Sequence, residues 1–197
     1  MQETSKCRKI RESNGDFNKY LRGSGIDIGA GDDPLVIPNG IVTPWDKNSG
    51  DAEVMSGVSD NSYDFVYSSH CLEHMRSVPR ALQNWARILR PDGFLYIVIP
   101  DYILYEKMRW PSLFNPDHKQ SFSPIITRDM TGRENHHHLE QDLAPILNSL
   151  AFRIIERRVE DYGFDYNKGV EDQTLGEATA QLCLIAQKNV RRPTSNI

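Results

Sequence analysis

The chain has 197 residues, 39% hydrophobic and 9% aromatic, which is enough for one well-buried domain and short for two. A formal net charge of −4, with basic residues scattered along the chain, gives no general attraction for a polyanion and argues against nucleic acid as a partner. Cys7, Cys71 and Cys183 form no CxxC pair, and no stretch approaches the ~20 apolar residues of a membrane span, so a soluble cytoplasmic protein without a disulfide framework or membrane partner is expected.

Residues 1–24 are polar with a weak helical pattern (Ile10, Phe17, Tyr20, Leu21) and predict a short leading helix or lid. A domain is expected over 25–189. Strands are predicted at Ile26 to Ala30, Ile41 to Asp46 and Tyr63 to Ser69. Val78, Ala81, Leu82, Trp85, Ile88 and Leu89 recur at helical spacing, with Pro79 in the first turn and Pro91-Asp92-Gly93 as the stop. Phe94 to Pro100 is uniformly apolar and reads as a central strand covered on both faces. This alternation implies an α/β fold with a mostly parallel sheet. Residues 102–133, rich in aromatics, prolines and charges, are too long for a simple connection and read as an active-site insertion. A helix over Leu139 to Leu150 and two strands, Phe152 to Val159 and Ala180 to Gln187, follow, the strands able to form a hairpin. Residues 190–197 read as a disordered tail.

The turn Gly29-Ala30-Gly31 follows the first strand, where a dinucleotide fingerprint would need a third glycine. Position 34 is Pro34, and Asp32 and Asp33 would set two negative charges beside a phosphate. A ligand that is cationic or neutral there, carrying a sulfonium, an ammonium and a ribose, fits better. Pro34, Pro38 and Gly40 leave no room for a full helix before the second strand, so the first crossover is truncated and the turn's backbone amides must hold the ligand unaided. Asp46, at the end of the second strand, can accept two hydrogen bonds from a ribose diol, although it could also be a simple turn aspartate.

Four motifs stand in order: Asp27-Ile28-Gly29-Ala30-Gly31, Gly50-Asp51-Ala52-Glu53, the run Ser62 to His74 (SYDFVYSSHCLEH), and Arg87 to Gly93 (RILRPDG). In these the chain resembles the class I S-adenosylmethionine-dependent methyltransferases of the small-molecule, methyltransferase-11-like group, over about residues 25 to 101. The resemblance implies a Rossmann-like seven-stranded sheet with an antiparallel C-terminal strand. It implies that Asp27, Gly29, Ala30 and Gly31 hold the methionine end, Asp46 the ribose, and Asp51 with Ala52 the adenine edge. Ser68, Ser69 and His70 would border the methyl group.

Methyl transfer from a sulfonium asks the protein mainly for alignment, with a base only where the acceptor is a hydroxyl or a protonated amine. His70 is the first candidate base, its alternative being a half-buried histidine capping the next helix. His118, in NPDHKQSF, is the second, its alternative an ordinary loop residue. His70, Glu73 and His74 fall at i, i+3 and i+4, geometrically open to a metal, but spacing fixes no fourth ligand and none is expected. Of His136-His137-His138 at most one or two can face a pocket. Tyr102, Tyr105, Trp110, Phe114 and Phe122 could wall an acceptor site, and Lys107, Arg109, Lys119 and Arg128 would suit an anionic acceptor. The expected reaction methylates an O or N atom of a small molecule, a saccharide or related metabolite. The alternatives are a non-catalytic cofactor-binding partner subunit and, disfavoured by Pro34 and the acidic loop, a nicotinamide-dependent oxidoreductase. The oligomeric state is not legible.

Overall fold

In the computed structural model, which describes residues 3–189, eight strands form: β1 Gly23–Ile28, β2 Gly40–Trp45, β3 Tyr63–Ser69, β4 Leu89–Pro100, β5 Ser121–Ser123, β6 His136–His138, β7 Phe152–Glu160 and β8 Gln181–Lys188. Six of them make the central sheet in the order β2-β1-β3-β4-β8-β7. β1 to β4 pair in parallel, and β8 runs antiparallel to both β4 and β7. The fold is therefore the expected Rossmann-like α/β sheet with an antiparallel C-terminal strand. The expected tail, 190–197, lies outside the described residues.

The sheet has six strands where seven are expected, and the reason is local. Between β2 and β3 the sequence KNSGDAEVMSGVSDN lacks the alternating β-branched residues of a strand and is broken by Gly50 and Gly57. It folds as turns and is pinned to helix α4 (Val78–Ile88) by that helix's side chains. Trp85 Nε1 donates to the Ala52 carbonyl at 2.9 Å, Asn84 to Glu53 O at 3.0 Å, and Arg87 to Met55 O and Val58 O at 3.0 and 2.7 Å.

Alternation along the central strands sorts the two faces. Val66, Leu95 and Ile97 face a core shared with Trp85 and Leu82 of α4 and with Leu147, while Phe65, Tyr67, Tyr96 and Val98 face the opposite side. No helix forms between β1 and β2, as Pro34 and Pro38 dictate. The face it would have covered is filled instead by Leu35 and Ile37 of the connecting loop and by the leading segment, whose helices are α1 Glu3–Lys6, α2 Arg8–Asn14 and α3 Asp16–Lys19. Phe17, Tyr20 and Leu21 supply that cover.

The segment after β4 carries β5 and helix α5 (Arg128–Thr131), and β5 pairs in parallel with β6 in a separate small sheet. Beyond β6 a π-helical turn, Leu139–Leu143, leads into helix α6 (Ala144–Ser149). His138 caps the start of this turn, its Nδ1 accepting from the Glu140 and Gln141 amides.

Candidate functional site

The carboxyl ends of β1 to β4 converge on one edge of the sheet, where ligands of open α/β sheets bind. Gly29 leaves β1 with φ +86°, and a Cβ there would stand 2.5 Å from that of Cys71, so no other residue fits. The Gly29 and Ala30 amides donate to the Trp45 carbonyl at 2.8 and 3.2 Å, tying the β1 turn to the end of β2. This corrects the expectation that these amides face a ligand. Two of the turn's donors are spent inside the protein.

Two further corrections concern Asp27 and Ser68. Asp27 is 1% exposed and accepts from the Leu35 amide at 2.7 Å, and Ser68 is fully buried with its hydroxyl donating to Ile28 O at 3.1 Å. Neither lines either of the two cavities over the strand ends, because alternate strand residues point into the sheet layers and away from its edge. Burial pushes the Asp27 carboxyl up to about 7, the Leu35 amide offsetting part of the rise.

Two cavities lie over the strand ends and share Gly29, His70 and His74. The wider, about 740 Å³, is bordered by Asp46, Lys47, Asp51, Ala52 and Lys119. The narrower, about 480 Å³, is bordered by Ala30, Gly31, Ser69 and His118, and by four carboxylates, Glu3, Asp32, Asp33 and Glu73, with no lysine or arginine. α1 closes over it. Glu3 and Thr4 line it, and the Ser5 amide and hydroxyl both donate to the Asp33 carboxylate, the amide at 2.8 Å.

His70 adopts φ +52°, in the left-handed region that residues other than glycine seldom occupy. Its Nε2 lies 2.9 Å from Gln181 Oε1. Because the Gln181 amide nitrogen donates to Glu160 at 2.6 Å, its oxygen must accept, so His70 carries its proton on Nε2 and leaves Nδ1 bare, 3.6 Å from Glu73 Oε1. Burial lowers the His70 pKa.

Glu73 is 1% exposed, and neither carboxylate oxygen has a hydrogen-bond partner on another described residue. Burial pushes its carboxyl up to about 8, with Glu106 adding to the rise. His118 stands opposite. Its Nδ1 donates to Glu106 Oε1 at 2.7 Å, and its Nε2 lies 3.8 Å from Glu73 Oε1. His74 donates Nδ1–H to Asp117 O at 3.2 Å and packs edge-on to His118, and burial lowers it to about 4. Leu72–His74 is a 3-10 turn and His70 lies outside it, so the helical face expected for His70, Glu73 and His74 does not form. The tertiary fold brings His118 to this group instead. Glu106, Asn115 and Glu3 are not singled out by the sequence, and no local motif marks them.

His136, His137 and His138 are all buried and line neither cavity, bonding instead to Ser121, Gln120 and the π-helical turn. Of the aromatics named above, Tyr105 reaches the narrower cavity, whereas Phe122 packs in the core. Arg128 pairs with Asp142 at 3.1 Å and does not face either cavity.

Residues 11–131 match the family described as "Methyltransferase domain". No curated protein matches the sequence. Among solved structures the chain is similar to a S-adenosylmethionine-dependent methyltransferase from Archaeoglobus fulgidus, at 17% identity, 95% of each chain covered and a TM-score of 0.59. It is also similar to a S-adenosylmethionine-dependent methyltransferase from Thermotoga maritima, at 18% identity, with 91% of this chain and 89% of that one covered and a TM-score of 0.55. A third similarity is to a chain of the complex between the Haloferax volcanii Trm112 methyltransferase activator and a methyltransferase, at 10% identity, 96% of each chain covered and a TM-score of 0.57.

Proposed function

The chain belongs to the methyltransferase domain family, and from that premise we propose that it is a S-adenosylmethionine-dependent enzyme methylating an oxygen or nitrogen of a small molecule, a saccharide or related metabolite. The family sets aside the nicotinamide alternative. One observation carries the cofactor: the narrower cavity has four carboxylates and no lysine or arginine, a wall that repels a diphosphate and favours a sulfonium with its ammonium. When bound, S-adenosylmethionine supplies an electrophilic methyl group on a positively charged sulfur.

The chain's own residues supply position and proton handling. Gly31 and Asp32 would hold the methionine end in the narrower cavity. Asp46 would accept from the ribose hydroxyls and Asp51 and Ala52 would border the adenine in the wider one. His70 lines both cavities, so it stands where nucleoside and acceptor meet, with Nδ1 bare to take a proton from an acceptor hydroxyl or ammonium.

Enclosure by α1, Tyr105 and Asn115 supports a small acceptor, and the polar imidazole and carboxyl lining supports a polyhydroxyl compound. The net charge of −4 supports an acceptor other than nucleic acid. We read α1 as a lid on this chamber, and the three buried free cysteines as suited to a reducing cytoplasm.

The test is formation of S-adenosylhomocysteine with panels of saccharides and small amines, alongside calorimetric binding of that product. Binding without turnover on either panel removes the acceptor class. Absence of binding removes the cofactor.

A further inference from the structure

We propose that Glu73, His74 and His118 form a binding site for one divalent first-row transition ion at the acceptor end of the groove. Ligating atoms of these three residues all lie within 4.8 Å of one another. Zinc-type ions take imidazole nitrogen and carboxylate oxygen at about 2.0–2.2 Å, so tetrahedral ligands sit roughly 3.4 Å apart and side-chain rotations of about an ångström close this set.

Independent of that spacing, Glu73 is a fully buried carboxylate whose oxygens find no hydrogen bond on another described residue. An isolated buried carboxylate is costly, and buried charges are normally paired or bound to metal. The nearest candidates to pair with it are imidazoles at 3.6 and 3.8 Å, beyond hydrogen-bond reach.

The imidazoles are also prepared as ligands. His118 gives its Nδ1–H to Glu106 and His74 gives its Nδ1–H to the Asp117 carbonyl. Each is thereby fixed in the tautomer that leaves Nε2 with a free lone pair. A carboxylate or carbonyl behind the ring is the usual support of a metal-bound histidine. Two imidazoles and one carboxylate suit zinc, iron, cobalt or nickel better than magnesium or calcium. Three protein ligands leave coordination positions open to acceptor oxygens, which the ion would polarise next to His70.

The inference rests on the reading above only in placing the acceptor here. Its test does not. The metal-stripped full chain is titrated with Co2+ and Zn2+, following the cobalt absorption spectrum and calorimetric stoichiometry. One equivalent of saturable binding is expected, weakened at least tenfold in Glu73→Gln and in His118→Asn. Circular dichroism spectra and the cooperativity of thermal unfolding in the same samples, without metal, are expected to match the unsubstituted chain in both variants, which reports an intact fold independently of the groove. Lack of one-equivalent binding, or affinities within twofold of the original in both variants, overturns the site. Loss of nucleoside binding in the unsubstituted chain would sink the cofactor reading and leave the metal result standing.

Discussion

The wider cavity takes half of its lining from one stretch, Gly29 to Ala52, and the aspartates of that stretch, Asp46 and Asp51, remain half-exposed or exposed at the end of β2 and in the loop beyond. The narrower chamber is assembled from Glu3, His70, Glu73, Tyr105 and His118, with Gln181 behind it, and several of these groups are buried. Local sequence can build a ligand site when its groups stay wet. Burying charge requires partners, and partners come from wherever the chain returns.

The most disruptive test of this contrast falls on the support of the wider end. Trp85 is fully buried and its indole holds the Ala52 carbonyl, so Trp85→Ala is expected to cost about 3–5 kcal/mol in denaturant unfolding. A loss under about 1 kcal/mol would mean that the loop does not depend on α4. At the chamber, His70→Asn keeps a residue that tolerates positive φ and removes the base. A fall in kcat of about a hundredfold, near 2.7 kcal/mol, with product binding unchanged, is expected from stopped assays across pH. A flat kcat would return His70 to a merely structural role.

Asp27 separates the layer beneath the groove from the groove itself. Its carboxyl is raised to about 7 in the folded chain against about 4 in an unfolded one, so the native state favours the protonated form. The stability this group contributes is complete below pH of about 4, is lost as pH rises to about 7, and is flat beyond. Asp27→Asn, which keeps an acceptor for the Leu35 amide, should therefore match the original chain near pH 4 and exceed it by on the order of 4 kcal/mol at pH 8. Thermal melts at the two pH values that show equal differences would contradict the buried-acid account. The smallest expected effect is at Asp46. Its replacement by Ala should weaken binding of S-adenosylhomocysteine about tenfold, near 1.4 kcal/mol, and leave kcat alone. A change in kcat there would blur the distinction between the two ends.

Much of this was readable before any coordinates. The parallel strands, the helix with Pro79 and Trp85, and the absence of a helix between Pro34 and Gly40 follow from periodicity and from proline's fixed backbone. The missing seventh strand was also latent in the Ser- and Gly-rich stretch from Lys47 to Asn61, but the family pattern overrode it. Asp27 was misplaced because strand residues alternate between layers, and a motif records identity without recording which way a side chain turns.

What the sequence determined by itself is the nature of the groove's floor: glycines where φ is positive, and aspartates where the charge must not repel a sulfonium. These are short-range properties, set by sterics and by charges within a few residues. Only the tertiary structure decided that Glu73 would be buried beside His118, 45 positions away, and that Glu106 would hold that imidazole in place. Contacts of such separation depend on how an insertion folds back over the strand ends, and neither periodicity nor spacing carries that information.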